Sequence, residues 1–281
     1  GAAVAGLPPL PLFDHHIHAD GRNADDYELM AISGVTTVLV PCSATGERRP
    51  VAASFAARFD RLLEAEAARA ARYGVDLYVG LAVHAADMAG LDGARGGIRE
   101  LAARLDHPRV LAVGELALRS FGPDEEEILE RQLAVAAEHG KPVMIETPPP
   151  PEAFARMVRV LDRLLDRGPL PRDRVALMDL DHAKLRLARE LGVGAYGLPV
   201  SPPHDGLFRL REKLDARAVA EILAEHGPDR LMLNTGFHYG SADPLGLAKT
   251  VLRLRLAGVP DPTLRAVAYD NAAEFFGLPG R

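Results

Sequence analysis

The sequence predicts an α/β protein, a single (β/α)8 TIM barrel with a C-terminal helix. Short apolar runs rich in valine, isoleucine and leucine alternate with longer helical patterns throughout the 281 residues. The strand and helix unit recurs eight times, and eight such units in about 250 residues are typical of this barrel. No change in composition marks a second domain, so residues 1–281 are expected to form one domain. A doubly wound open sheet is the alternative architecture.

The strands are predicted from short apolar runs that end in polar or turn-forming residues. They span Pro11 to His18, Val35 to Pro41, Val75 to Val83, Val110 to Glu115, Pro142 to Thr147, Arg174 to Asp179, Val193 to Leu198 and Arg230 to Thr235. The helices are predicted from apolar residues spaced three and four apart. They span Asp25 to Ser33, Ala52 to Tyr73, Ile98 to Leu105, Asp124 to His139, Glu152 to Asp166, Ala183 to Leu191, Ala216 to His226, Leu245 to Ala257 and the terminal Thr263 to Phe276.

The composition favours a soluble, globular protein. The chain is 48% hydrophobic and 26% charged, and its net charge of -6 argues against a basic surface that binds nucleic acid. No apolar run approaches the roughly 20 residues that a membrane helix needs, so no membrane contact is expected. The single cysteine, Cys42, excludes an internal disulfide, and the cytoplasm is the expected compartment. Assembly into a homo-oligomer stays open.

Two histidines stand two residues apart at the end of the first predicted strand. Residues i and i+2 of a strand point to the same face. His16 and His18 are therefore expected to direct two neutral imidazoles at one metal ion. The alternative is a polar strand end whose histidines face solvent.

Further potential ligands follow other predicted strands. In chain order they are Glu115 after strand four, Glu146 after strand five, Asp179, Asp181 and His182 after strand six, and His238 after strand eight. A barrel brings these strand ends around one mouth, where crowded carboxylates repel one another unless a cation is bound. Taken singly, Glu115 or Glu146 could instead cap a helix or pair with an arginine.

Four segments carry a resemblance to a known family. They are His16-Ile-His18, Val113-Gly114-Glu115, Lys141 to Pro148, and Asp270 to Gly277, and they span nearly the whole chain. The chain resembles the TatD-like branch of the amidohydrolase superfamily. The resemblance implies a barrel with two divalent metals, in which the paired histidines and a strand-eight carboxylate hold the first metal. A strand-four Glu bridges the two metals, and histidines from strands five and six hold the second.

Three positions of the family pattern match, and three differ. His16, His18 and Glu115 match by position. Glu146 stands where the family has the strand-five His, and Asp179 is the best candidate for the strand-six position, with Asp181 and His182 as register alternatives. The strand-eight Asp is missing. Direct alignment places Gly236 there, and alignment on the segment that follows places His238 there. In the family this Asp ligates metal and accepts a proton from the nucleophilic water.

The resulting ligand set predicts redox chemistry. Anionic oxygen ligands in place of imidazoles favour Fe or Mn over Zn. The chain thus resembles non-heme di-iron monooxygenases built on an amidohydrolase-type barrel, the kind found in platensimycin and platencin biosynthesis. This resemblance implies two Fe ions, with Mn or Zn as alternatives, and O2 as co-substrate. An external electron donor would serve the hydroxylation of an unactivated carbon in a hydrophobic small molecule, such as a terpenoid intermediate of antibiotic biosynthesis.

Residue roles follow from this hypothesis and its alternatives. Glu115, Asp179 and His238 are the expected catalytic residues. Substrate contacts are expected from the strand-three His84, which matches a family position, and from polar residues on predicted mouth loops, namely Arg119, Tyr196, His204 and Tyr239. The second hypothesis is a TatD-like hydrolase of an ester or phosphodiester, with Asp179 or Asp181 taking over the proton role. The third is a metal-binding scaffold without activity.

Overall fold

Eight parallel strands curl into a nearly closed barrel in the computed structural model, which describes residues 8–201, 213–236 and 243–278. Each strand pairs with the next one along the chain. The strands are β1 (Leu12–Asp14), β2 (Val35–Pro41), β3 (Asp76–Leu81), β4 (Val110–Leu116), β5 (Val143–Glu146), β6 (Val175–Met178), β7 (Ala195–Pro199) and β8 (Leu231–Asn234). The predicted (β/α)8 barrel is confirmed.

Helices connect the strands on the outside of the barrel. They are α1 (Asp25–Ile32), α2 (Ala52–Asp60), α3 (Ala67–Ala71), α4 (Leu91–Ala102), α5 (Pro123–Glu138), α6 (Pro151–Arg167), α7 (His182–Leu191), α8 (Ala216–His226), α9 (Gly246–Leu256), α10 (Asp261–Arg265) and α11 (Asn271–Phe276). A π-helical segment, Arg61–Glu66, joins α2 to α3, and another, Ala266–Asp270, joins α10 to α11. No helix within the described ranges has both the length and the apolar character needed to cross a membrane.

Side-chain hydrogen bonds link the first and last strands. The backbone N–H of Thr235 donates to Asp14 Oδ1 at 3.0 Å, and the Thr235 hydroxyl donates to Asp14 Oδ2 at 2.6 Å. Burial raises the pKa of the Asp14 carboxyl to about 6, and the two Thr235 hydrogen bonds oppose this shift. The Asp14 carboxylate thus ties the end of β8 to β1 at the same edge of the barrel as the predicted ligands.

The C-terminal helix covers the opposite end of the barrel. Phe276 of α11 packs edge-on against Phe13 inside the barrel, with ring centroids 6.2 Å apart. The side-chain amide of Asn271 donates to the carbonyls of Pro228 and Leu231, which lie at the start of β8. Because α11 covers the strand starts, the carboxyl ends of the strands are left for a functional site.

Candidate metal centre

Two histidines and one glutamate converge at the carboxyl ends of β1 and β4. His16 Nε2 lies 3.1 Å from Glu115 Oε1, and His18 Nε2 lies 3.8 Å from Glu115 Oε2. All three residues are buried, and one ligand atom from each lies within 4.8 Å of the others. Two imidazole nitrogens and a carboxylate form a donor set that suits a divalent transition metal. The residues present therefore fit a divalent metal ion.

The two histidines follow the first strand and do not belong to it. β1 ends at Asp14, so the prediction of a strand through His18 is wrong. The backbone N–H of Ile17 still donates to Leu39 of β2 at 3.2 Å, which holds the segment against the barrel. The rings of His16 and His18 lie 5.0 Å apart between centroids. Both rings nevertheless reach the same carboxylate, that of Glu115.

Close packing at the end of β4 positions Glu115. A Cβ on Gly114 would lie 2.7 Å from the Cβ of Met144 in β5, so only glycine fits between these strands. The backbone N–H of Glu115 donates to the carbonyl of Cys42 at 3.0 Å. Glu115 is thereby fixed between β2 and β5, with its carboxylate toward the two histidines.

Arginines from the α2–α3 segment hold the loop that follows His18. Arg58 Nη1 lies 2.5 Å from Asp20 Oδ2, and both side chains are buried. Arg69 donates to the carbonyls of Ala19 and Arg22 at 2.9 and 2.7 Å. These contacts fix the backbone immediately after His18.

Arg58→Met is expected to lower the free energy of unfolding by about 3–5 kcal/mol, because it leaves the buried Asp20 carboxylate without this cation. Urea denaturation measures the change. Arg131→Met is the matched control, since Arg131 is exposed and pairs with Glu127 on the helix surface, where loss of an ion pair costs about 0–1 kcal/mol. Equal losses in the two variants would contradict a special role for the buried pair.

A second group of side chains lies at the end of β5. His84 Nε2 is 3.3 Å from Glu146 Oε2, and Arg119 Nη2 is 3.0 Å from the same oxygen. Glu146 is buried, whereas the Arg119 side chain is 45% exposed. Ligand atoms of His84, Glu115 and Glu146 also lie within 4.8 Å of one another. Glu115 thus belongs to both groups, as a bridging residue would.

Asp179 is the strand-six residue that faces the centre. It follows β6 with φ of 58°, a left-handed conformation that is uncommon outside glycine. Burial raises the pKa of Asp179 to about 6; His16 opposes this shift, and the negative charge of Glu115 reinforces it. Asp181 instead caps α7 by accepting a hydrogen bond from the backbone N–H of Lys184 at 2.8 Å. Between these two register alternatives, the structure brings Asp179 to the site.

Gly236 stands close to Asp179 at the end of β8. A Cβ on Gly236 would lie 3.6 Å from Asp179 Oδ1, and the φ of Gly236 is 50°. A side chain at position 236 would therefore point toward the Asp179 carboxylate. The direct alignment places the missing strand-eight Asp at this position, and the alternative, His238, lies outside the described residues.

The structure does not bring two of the predicted residues to the site. His182 faces outward, where its Nε2 lies 2.6 Å from Glu225 Oε2, so its assignment as a metal ligand of this centre is corrected. Tyr196 is fully buried at the start of the β7–β8 pairing, with the guanidinium of Arg189 5.3 Å from its ring centroid. Its assignment as a substrate contact is also corrected. Three further predicted residues lie outside the described ranges: His204, His238 and Tyr239.

Sequence reasoning missed two lysines near Asp179. Lys184 Nζ lies 3.3 Å from the carbonyl oxygen of Asp179, and Lys213 Nζ lies 3.3 Å from that of Gly236. Both ammonium groups favour the ionised form of the Asp179 carboxyl and so lower its pKa. Neither lysine belongs to a sequence motif. The fold alone brings each of them to the mouth of the barrel.

The model of the TatD related DNase family matches residues 13–174, which is more than half of the chain. The chain belongs to this family. An uncharacterized metal-dependent hydrolase of Methanocaldococcus jannaschii is 27% identical over 270 residues, which cover 95% of this chain and 100% of that protein. Membership in the family indicates an enzyme of the metal-dependent hydrolase class.

Solved structures of the family share the fold. The TatD-like protein of Archaeoglobus fulgidus superposes with a TM-score of 0.71 at 21% identity, over 95% of this chain and 100% of that one. The TatD homologue YjjV of Escherichia coli K12 superposes with a TM-score of 0.64 at 19% identity, over 95% of this chain and 98% of that one. At these identities the similarity supports the barrel.

These matches overturn the predicted monooxygenase. The family model and the archaeal relative both indicate a metal-dependent hydrolase. The resemblance to di-iron monooxygenases is not supported, and neither are O2 as co-substrate and a role in antibiotic biosynthesis. The prediction failed because carboxylate-rich ligand sets serve hydrolysis as well as redox chemistry.

Proposed function

We propose that this chain is a metal-dependent hydrolase of phosphodiester bonds, with a divalent cation held by His16, His18 and Glu115. The observation that carries the proposal is the buried convergence of these three side chains, with nitrogen to oxygen distances of 3.1 and 3.8 Å. Burial of a carboxylate among imidazoles is costly unless a cation or a proton neutralises it. The family assignment independently supports the hydrolase class.

Each residue has a distinct task in the proposed reaction. When bound, the cation supplies a Lewis acid and lowers the pKa of water. His16 and His18 act as neutral nitrogen ligands, and Glu115 supplies the negative charge that balances the cation. Asp179 accepts the proton of the attacking water as its O–H bond breaks. The water oxygen forms a bond to phosphorus as the bond between phosphorus and the leaving oxygen breaks, and the leaving oxygen takes up the proton that Asp179 accepted.

Asp179 is the proposed substitute for the missing strand-eight Asp. The absence of a side chain at Gly236 leaves space beside the Asp179 carboxylate, 3.6 Å from where a Cβ would lie. His16, Lys184 and Lys213 favour the ionised form of the Asp179 carboxyl, and an ionised carboxylate can accept a proton from water. The same catalytic group would thus be supplied by β6 in place of β8.

Positive charge at the mouth supports an anionic substrate. Arg119, Lys184 and Lys213 lie near the carboxylates of the site, and cationic side chains favour phosphate groups. The chain as a whole carries a net charge of -6, which disfavours a long nucleic-acid polymer. We therefore propose a small phosphodiester as the substrate class.

A metal-removal experiment tests this function. Protein stripped with a chelator is reloaded with Zn²⁺, Mn²⁺ or Fe²⁺ and assayed with bis(4-nitrophenyl) phosphate, 4-nitrophenyl acetate and a short DNA oligonucleotide. The stripped protein is expected to be inactive, and at least one cation should restore hydrolysis, most strongly for bis(4-nitrophenyl) phosphate.

The histidine variants provide the control for that experiment. His16→Ala should abolish restoration, because it removes a nitrogen ligand. His139→Ala should not, since His139 pairs with Asp106 on the outside of the barrel. Hydrolysis that persists after chelation, or that is equal in the two variants, would overturn the proposal.

A further inference from the structure

Glu146 already has a cationic partner at the end of β5. Arg119 Nη2 lies 3.2 Å from Oε1 and 3.0 Å from Oε2 of Glu146. The nitrogen therefore lies between the two carboxylate oxygens, where a cation chelated by both would lie. A metal ion that uses Glu146 in this way must first displace the guanidinium.

The loop that carries Arg119 is held in place by a second carboxylate. The backbone N–H groups of Arg119, Ser120 and Phe121 all donate to Glu125, at distances from 2.8 to 3.1 Å. Arg156 adds a contact from α6, with its guanidinium 4.7 Å from the Phe121 ring centroid. The backbone position of Arg119 is thus fixed by three converging hydrogen bonds, and its side chain reaches inward to Glu146.

The hydrogen bonds of His84 also disfavour a metal at this position. Nδ1 of His84 accepts a hydrogen bond from the backbone N–H of Ala86 at 3.1 Å. A neutral imidazole that accepts at Nδ1 carries its proton on Nε2, so Nε2 donates to Glu146 Oε2 at 3.3 Å. For His84 to bind a metal through Nε2, its proton must move to Nδ1 and the bond from Ala86 must break.

We propose that the guanidinium of Arg119 takes the place of the second metal ion, so that the chain binds one divalent cation tightly and a second only weakly. The inference rests on the proposed function, because it concerns the same site. Glu146 brings a negative charge to a position where the resemblance implies a neutral histidine, and Arg119 balances that charge. Arg119 is half-exposed, so its guanidinium can become hydrated when displaced. It therefore competes with the second cation without excluding it at high concentration.

The stoichiometry of Zn²⁺ binding to metal-free protein tests the proposal. Calorimetric titration of the full chain is expected to show one tight equivalent and a much weaker second one. Arg119→Met should lower the dissociation constant of the second Zn²⁺ by about 10- to 100-fold, because the cation no longer has to break a hydrogen bond to a charged group. The dissociation constant of the first Zn²⁺ should stay unchanged. Arg119→Lys, which keeps a positive charge, should keep the second step weak.

Two controls make the titration specific. All proteins carry His182→Ala, because His182, Glu225 and His226 form an exterior group that could bind Zn²⁺ by itself. Arg131→Met removes a guanidinium that pairs with Glu127 away from the mouth, and it should change neither step. A circular dichroism spectrum and a melting temperature like those of the parent confirm that each variant is folded, and Arg119→Gln serves as a second neutral variant.

The outcomes separate this inference from the proposed function. The role of Arg119 would be overturned if the parent bound two equivalents of Zn²⁺ with similar affinity. It would also be overturned if Arg119→Met and Arg119→Gln left the binding of the second Zn²⁺ unchanged or weakened it. Hydrolysis could still be metal-dependent in that case. One tight equivalent with a tightened second step in the neutral variants would support the inference even if no hydrolysis were detected, a result that would count against the proposed function alone.

Discussion

Glu115→Gln is expected to abolish tight binding of the divalent cation and to lower kcat/KM by about 10³-fold or more, the rate equivalent of several kcal/mol of transition-state stabilisation. The Glu115 carboxylate lies within 3.8 Å of both histidine nitrogens and is the only anion in that trio. The amide of glutamine keeps the shape of the side chain but removes the charge. Two imidazoles alone would then have to hold the cation.

Metal content by mass spectrometry and the rate of phosphodiester hydrolysis measure this effect. Glu130→Gln is the matched control, because Glu130 pairs with Arg167 on the helix surface. It should retain the cation and the full rate. A Glu115→Gln protein that keeps one equivalent of metal and normal activity would remove Glu115 from the site.

Asp179→Asn is expected to lower kcat by about 10²- to 10⁴-fold, the range associated with loss of a general base, while the cation stays bound. Asparagine cannot take a proton from water at the point where Asp179 faces His16 and Glu115. The KM should change little, because the variant keeps the size of the side chain. A fall in metal content equal to the fall in rate would instead make Asp179 primarily a ligand.

Asp181→Asn provides a control two residues away. Asp181 caps α7, and asparagine caps a helix as well as aspartate does, so both fold and rate should be preserved.

The pH profile of the rate separates the role of Asp179 as a base from a role as a ligand. A bound cation lowers the pKa of Asp179 from about 6, so the parent rate should fall on acidification below pH 6. This acidic limb should be absent in Asp179→Asn.

Much of the fold could be predicted because strand and helix patterns repeat so regularly. The bounds predicted for β2 and α8 agree with the structure. The start of α4 was missed: the helix begins at Leu91, and the residues before Ile98 include three glycines, a residue type with low helix propensity. The structure gives these glycines a packing role: a Cβ on Gly93 would lie 2.3 Å from the carbonyl oxygen of Pro50, and one on Gly97 would lie 2.7 Å from Phe55.

The site was only partly predictable, because its geometry depends on single-residue register. His16, His18 and Glu115 come together as expected. The sequence could not separate Asp179 from Asp181 or His182, since the apolar pattern does not show that β6 ends at Met178 and that Asp181 caps a helix beginning at His182. The pairing of Arg119 with Glu146 brings together residues that are 27 positions apart, and no local sequence pattern predicts it.

The source of the oxygen atom added to the product tests the central claim most directly. The metal-loaded protein is incubated with bis(4-nitrophenyl) phosphate in water labelled with ¹⁸O, and the product phosphate is analysed by mass spectrometry. The account predicts one ¹⁸O atom from water in each molecule of 4-nitrophenyl phosphate, formed by the metal-loaded protein and not by Glu115→Gln. Product without the label, or equal labelled product from the Glu115→Gln protein, would contradict metal-dependent hydrolysis at this site.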